Sequence, residues 1–93
     1  MIYAYAKLTI TNPSSMDAYR EQAGAALARH GGAVVAASKD LEALDGQPDA
    51  GDISAILSFP DREAAFAWVN DPELTEVHAL RRNAGQSDIL LLG

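Results

Sequence analysis

Ile53-Ser54-Ala55-Ile56-Leu57-Ser58-Phe59, then Pro60-Asp61, then Arg62 to Val69, then Asn70-Asp71-Pro72-Glu73 and a second run to Gly85, is the stretch that decides the fold. It reads as a buried strand feeding a helix that breaks and restarts. Ile53, Ala55, Leu57 and Phe59 share one face and Ser54, Ile56 and Ser58 the other, because side chains alternate along a strand. Pro60 ends the strand by removing a ladder donor. Asp61 caps the helix by accepting from its first free N–H groups. Ala65, Trp68 and Val69 form its apolar stripe. Asp71-Pro72-Glu73 is a second start: a cap residue, a proline at the first helical position and an acid in the positive first turn. Leu74, Val77, His78 and Arg81 share the stripe of the second run, and Gly85 closes it.

Outward from this stretch, Ile2 to Ile10 is a strand with Ile2, Ala4, Ala6, Leu8 and Ile10 on one face and Tyr3, Tyr5, Lys7 and Thr9 on the other. The second face, aromatic and polar at once, suits a pocket wall or a subunit contact. Asn12-Pro13 starts a helix on which Met16, Tyr19, Ala23, Ala26, Leu27 and His30 recur at helical spacing, and Gly31-Gly32 ends it. Ala33 to Ser38 is a second strand. Lys39-Asp40 marks a kink or bulge, Leu41 to Leu44 continues the strand or forms an arm, and residues 45–51 are turn and loop. Ser87 to Leu92, nearly all apolar, is a last strand expected to be flanked on both sides.

The order is β-α-β-β-α-β with a split second helix. That is a ferredoxin-like α+β fold, a four-stranded antiparallel sheet with the helices on one face. The opposite face carries Tyr3, Tyr5, Ile56 and either Leu90/Leu92 or Ile89/Leu91, and no helix is left to cover it. A homodimer through this helix-free face is the expected remedy.

The 93 residues make one domain, with 13 acids against 7 bases and a net charge of −6. That balance, with Arg81-Arg82 as the only basic pair, argues against nucleic acid. There is no cysteine, hence no disulfide or thiolate chemistry. No apolar run approaches the ~20 residues of a membrane span, and the start of the chain lacks a signal-peptide pattern. A cytoplasmic protein is the expectation.

Asn12-Pro13 with Tyr19 and Arg20, His30-Gly31-Gly32, Leu44-Asp45-Gly46, Phe59-Pro60-Asp61-Arg62-Glu63-Ala64-Ala65, Trp68, Asp71-Pro72-Glu73 and Arg81 form an ordered set. In that set the chain resembles the family named domain of unknown function 1330, within the dimeric α+β barrel superfamily. The resemblance spans nearly the whole chain. Two positions depart: Leu74 stands where members usually carry Tyr, and His78 where they often carry Lys or another polar residue. The resemblance implies a homodimer whose sheets form a shared barrel. It supplies no reaction; the wider superfamily includes cofactor-independent monooxygenases, isomerases and small-molecule-degrading enzymes.

The residues that can carry chemistry are few. His30 and His78 are the only histidines and the candidate acid/base groups. Against that, a His at a helix C-terminus is favoured by the dipole, and His78 is equally a half-exposed helix residue. Two distant histidines without a spaced carboxylate are not a metal site, and no cofactor motif is present. Arg81 can hold a carboxylate bidentately, or pair with Asp45 or Glu73 and fix its helix; the second reading is slightly favoured. Trp68 is read first as a core residue, but its indole N–H needs a partner, which also makes it a candidate to line a ligand pocket; Tyr5 is a candidate for a cleft or a dimer surface. Two functions follow. One is a cofactor-free enzyme acting on a small, partly apolar organic acid between sheet and helices, with His30, His78, Arg81 and Tyr5 as its polar groups. The other is a non-catalytic dimeric binding or accessory module. A cavity of about 300 Å3 or more favours the first, and a filled core the second.

Overall fold

The computed structural model describes residues 1–93, running β1 (Ile2–Ile10), α1 (Pro13–Ala28), β2 (Ala33–Ser38), β3 (Ile53–Phe59), α2 (Arg62–Asn70), a 3-10 turn (Pro72–Leu74), α3 (Thr75–Asn83) and β4 (Gly85–Leu92). The start signals at Asn12 and Asp61 act as read, while the one at Asp71 opens the 3-10 turn that leads into α3, which has no side-chain cap of its own. Asn12 accepts from the Ser15 N–H, Asp61 from Ala64 and Asp71 from Glu73. Each satisfies a donor with no intrahelical partner. Gly31 adopts φ +72°, and Gly31 and Gly32 donate to Ala28 and Leu27 at 3.0 and 2.8 Å, the bond pair that closes a helix ahead of a left-handed residue.

The sheet is antiparallel, in the order β2-β3-β1-β4. All three helices lie on one face. Ala4, Ala6 and Leu8 of β1 and Ile53, Leu57 and Phe59 of β3 are buried beneath them, with Leu27, Trp68, Leu74 and Val77 from the helices. The fold is the ferredoxin-like α+β arrangement expected from the element order.

Four details differ from the sequence reading. Gly85 does not close α3; it opens β4, because its backbone lies so close to the Thr9 carbonyl that a Cβ would overlap it. The strand irregularity falls between Val34 and Ala36, inside β2, and not at Lys39-Asp40. Residues 41–44 neither continue the strand nor form another. β4 is an edge strand with alternating exposure and is not covered on both faces. Its register puts Ile89 and Leu91 beside Ala6 and Ala4 on the helix side, and leaves Leu90 and Leu92 on the bare face at 65 % and 52 % exposure.

Candidate functional site

The break between α2 and α3 builds the centre of the site. In an unbroken helix the Trp68 carbonyl would accept from the N–H of residue 72, but Pro72 has none. The Asp71 N–H reaches that oxygen only at 3.4 Å, and the His78 ring takes it more closely, with Nε2 2.8 Å away. A carbonyl only accepts, so Nε2 carries the hydrogen and Nδ1 presents a lone pair, a tautomer assigned from the bonding pattern. Arg81 Nη1 donates to that lone pair at 2.7 Å. Both ring nitrogens of His78 are therefore engaged and the ring is neutral. Burial is the main force holding its pKa below the ordinary histidine value. The charges of Arg81 and Arg82 act in the same direction, while the Trp68 bond and Asp71 oppose it.

Arg81 is 4 % exposed and forms no ion pair. The expected pairing with Asp45 or Glu73 does not form; Glu73 bonds Arg29 instead. The guanidinium carbon sits 5.2 Å from the Trp68 ring and 5.7 Å from the Tyr19 ring. Trp68 in turn meets the His78 ring edge-on at 4.7 Å and the Phe59 ring at 5.6 Å. Two buried donors are left without a partner, Arg81 Nε and Trp68 Nε1.

Arg81 lines a cavity of about 410 Å3 between α1 and the sheet. Its walls are largely apolar: Met16, Tyr19 and Leu27 from α1, Leu8, Ile53 and Leu57 from the strands. Arg20, Lys39 and Arg81 are the charged residues that line it. No acid does, in a chain where acids outnumber bases 13 to 7. A smaller, wholly apolar cavity of about 120 Å3, lined by Trp68, lies on the other side of Ile89, which belongs to both walls.

The site residues read from the sequence divide three ways. Trp68, His78 and Arg81 come together. His30 stands apart at the end of α1, where its Nε2 lies 2.8 Å from Asp71 Oδ2 and ties α1 to the start of the 3-10 turn; Arg29 joins the same carboxylate at 3.0 Å. Tyr5 lies on the opposite face of the sheet from the cavity, one residue out of step with Ala4 and Ala6, and its hydroxyl lies 2.8 Å from Ser54 Oγ. No group of three or more His, Asp or Glu side chains stands close enough to hold a metal ion. The sequence reading missed Tyr19 as the second ring over Arg81, and Arg20 and Lys39 as wall residues. Tyr19 was visible only as one apolar position among several on α1. Lys39 follows an edge strand whose register no local signal sets.

The whole chain, residues 1–93, matches the family model described as Domain of unknown function (DUF1330). The chain belongs to that family. No curated protein matches this DUF1330 chain. Among solved structures it is similar to RPA0582, a protein of unknown function from Rhodopseudomonas palustris. The two share 22 % identity over 98 % of this chain and 79 % of that one, with a TM-score of 0.72. It is also similar to SnoaB, a cofactor-independent oxygenase from Streptomyces nogalater, at 17 % identity over 99 % and 90 % of the two chains, TM-score 0.71. A third is an antibiotic biosynthesis monooxygenase, at 17 % identity over 100 % and 97 %, TM-score 0.58. At these identities the likeness is one of fold. No helix of this DUF1330 protein is long and apolar enough to cross a membrane.

Proposed function

We propose that the cavity between α1 and the sheet binds a small, partly apolar organic acid, with its carboxylate on Arg81. The observation that carries this reading is a guanidinium 4 % exposed, without an acidic partner, on the wall of a 410 Å3 apolar cavity. Burying an unpaired charge costs several kcal/mol even after relaxation, and an arriving carboxylate offsets that cost by forming charge-assisted bonds in a water-poor space. The volume is that of a ligand pocket and not of a packing defect. His78 serves here as an acceptor that orients Arg81, because neither ring nitrogen is left to take a proton from a substrate. Conversion of the bound acid is supported only by the oxygenase and the monooxygenase named among the similar folds, so binding is the function and a reaction an addition to it. The chain acts as a homodimer through the bare sheet face, which holds Tyr3, Ile56, Leu90 and Leu92.

Trp68 is the only tryptophan and lies beside Arg81, so its fluorescence reports on the site. Benzoate is expected to change the emission saturably, whereas benzamide, of the same shape and no charge, has at least tenfold weaker effect. Arg81→Met is expected to abolish the benzoate response with the circular dichroism spectrum unchanged. A variant that unfolds makes Arg81 a structural residue, and equal binding of benzoate and benzamide by the native protein removes the carboxylate from the proposal.

A further inference from the structure

Resting on that reading, we infer that the ligand is a dianion, with an acidic group at each end of an apolar middle. The cavity floor is one lateral row of the sheet. Ala37 of β2 faces Ala55 of β3, which faces Ala6 of β1, which faces Ile89 of β4. All four residues line the cavity. Three alanines in register leave a low, uncharged floor that crosses two strand gaps, about 10 Å. Above it α1 presents Gly24, where an added Cβ would meet nothing within 4 Å.

The two ends of this floor carry the charges. α3 packs beside β4, so Arg81 enters from the β4 side, with its Nε buried and unpartnered. At the β2 end, Lys39 follows the strand directly and forms no ion pair. Arg20 reaches the same cavity from α1; its one acidic neighbour is Asp17, exposed and 3.4 Å away. β2 is exposed along its whole length, so this end is the mouth. A monoacid seated on Arg81 leaves the mouth cations facing only apolar wall and water. A second acidic group there meets them. Because the inner cation is buried and the outer pair is hydrated, the inner contact sets whether a ligand binds and the outer pair sets which acid is preferred.

The test uses the intact chain and three probes, terephthalate, benzoate and malonate, followed by Trp68 fluorescence or calorimetry. Terephthalate is expected to bind at least fivefold more tightly than benzoate. Malonate, dianionic but too short to cross the alanine floor, is expected to bind more weakly than either. In the double variant Arg20→Gln/Lys39→Gln the ratio of terephthalate to benzoate affinity is expected to fall to about one. Both positions are exposed, so the fold is not at stake. Equal affinities for terephthalate and benzoate in the native protein, a ratio unmoved in the double variant, or malonate matching terephthalate each overturn the dianion, while Arg81-dependent benzoate binding would leave the simpler reading standing. Absence of any Arg81-dependent binding removes both.

Discussion

A buried guanidinium facing two aromatic rings and one imidazole nitrogen is only partly compensated. Each cation–π contact contributes about 0.5–2 kcal/mol and the bond to His78 Nδ1 about 1.5–3, against a desolvation cost of several. The arrangement works only while His78 stays neutral. A proton on Nδ1 would remove the acceptor and set a second cation against Arg81. Folding and protonation of His78 are therefore linked. Its folded pKa is lowered, first by burial, so below about pH 6.5 the unfolded chain binds a proton that the folded chain refuses. Stability from this residue is present above the unfolded pKa. It is lost progressively as the pH falls toward the folded value, and the loss levels off below that. Arg81 and Arg82 reinforce the effect and Asp71 opposes it. Thermal unfolding from pH 8 to pH 5 is expected to show a Tm that falls more steeply in the native protein than in His78→Gln, whose amide can still donate to the Trp68 carbonyl but does not titrate. Parallel curves would mean that His78 protonates freely within the fold.

The split helix is the device that makes this residue chemistry available. Pro72 withholds one N–H, the Asp71 N–H reaches the Trp68 carbonyl only at 3.4 Å, and the next helix supplies the imidazole that bonds it at 2.8 Å. Pro72→Ala restores the missing backbone donor, which then competes with His78 for the same oxygen. Benzoate affinity is expected to drop by roughly three- to tenfold, the size of one hydrogen bond of about 1 kcal/mol, with the secondary structure content unchanged. Unaltered affinity would show that Arg81 is held by its rings alone. The break itself was legible, since Asp71-Pro72-Glu73 is a strong local start signal, and so was the shared stripe of Leu74, Val77, His78 and Arg81. What fills the Trp68 carbonyl was not, because it requires two helices placed relative to each other. The alanine floor was hidden for a related reason. Ala6, Ala37 and Ala55 are ordinary inward positions until the register sets them side by side. The interruption in β2 falls at Val35, a residue with no turn chemistry to announce it. Tyr5 illustrates the reverse case: its face was legible from alternation, and that face is turned away from the cavity.

At the scale of the whole molecule, the sheet is covered on one side only. Tyr3, Leu90 and Leu92 are 43 %, 65 % and 52 % exposed on the other side, around Tyr5 and Ile56. Four strands about 4.8 Å apart and seven residues long at about 3.3 Å each project roughly 450 Å2. A corrugated surface exposes more than its projection, so two such faces pressed together bury on the order of 1,200 Å2, the lower end of the range for a stable specific interface. At ~25 cal/mol per apolar Å2 the gross gain is in the tens of kcal/mol, reduced by association costs of about 4–15 kcal/mol. Lys7 does not spoil the surface. Its ammonium is held by Asp49 at 3.2 Å, which also draws the Asp49 carboxyl below the ordinary range, and Asp88 stands 4.0 Å away. The face is thus apolar around Tyr3, Ile56, Leu90 and Leu92 and polar beyond Tyr5, where Ser54, Lys7 and Asp88 stand side by side with the cation neutralised. Ile56 sits in β3 opposite Tyr5, toward the middle of the face, so Ile56→Glu would set a carboxylate in the centre of the buried contact, where a charge without a partner costs several kcal/mol. Sedimentation equilibrium at micromolar concentration is expected to give a dimer for the native protein and a monomer for Ile56→Glu. A native monomer would leave the face uncovered by a second copy. A dimeric Ile56→Glu would move the interface to another surface, of which the exposed edge of β2 is the nearest.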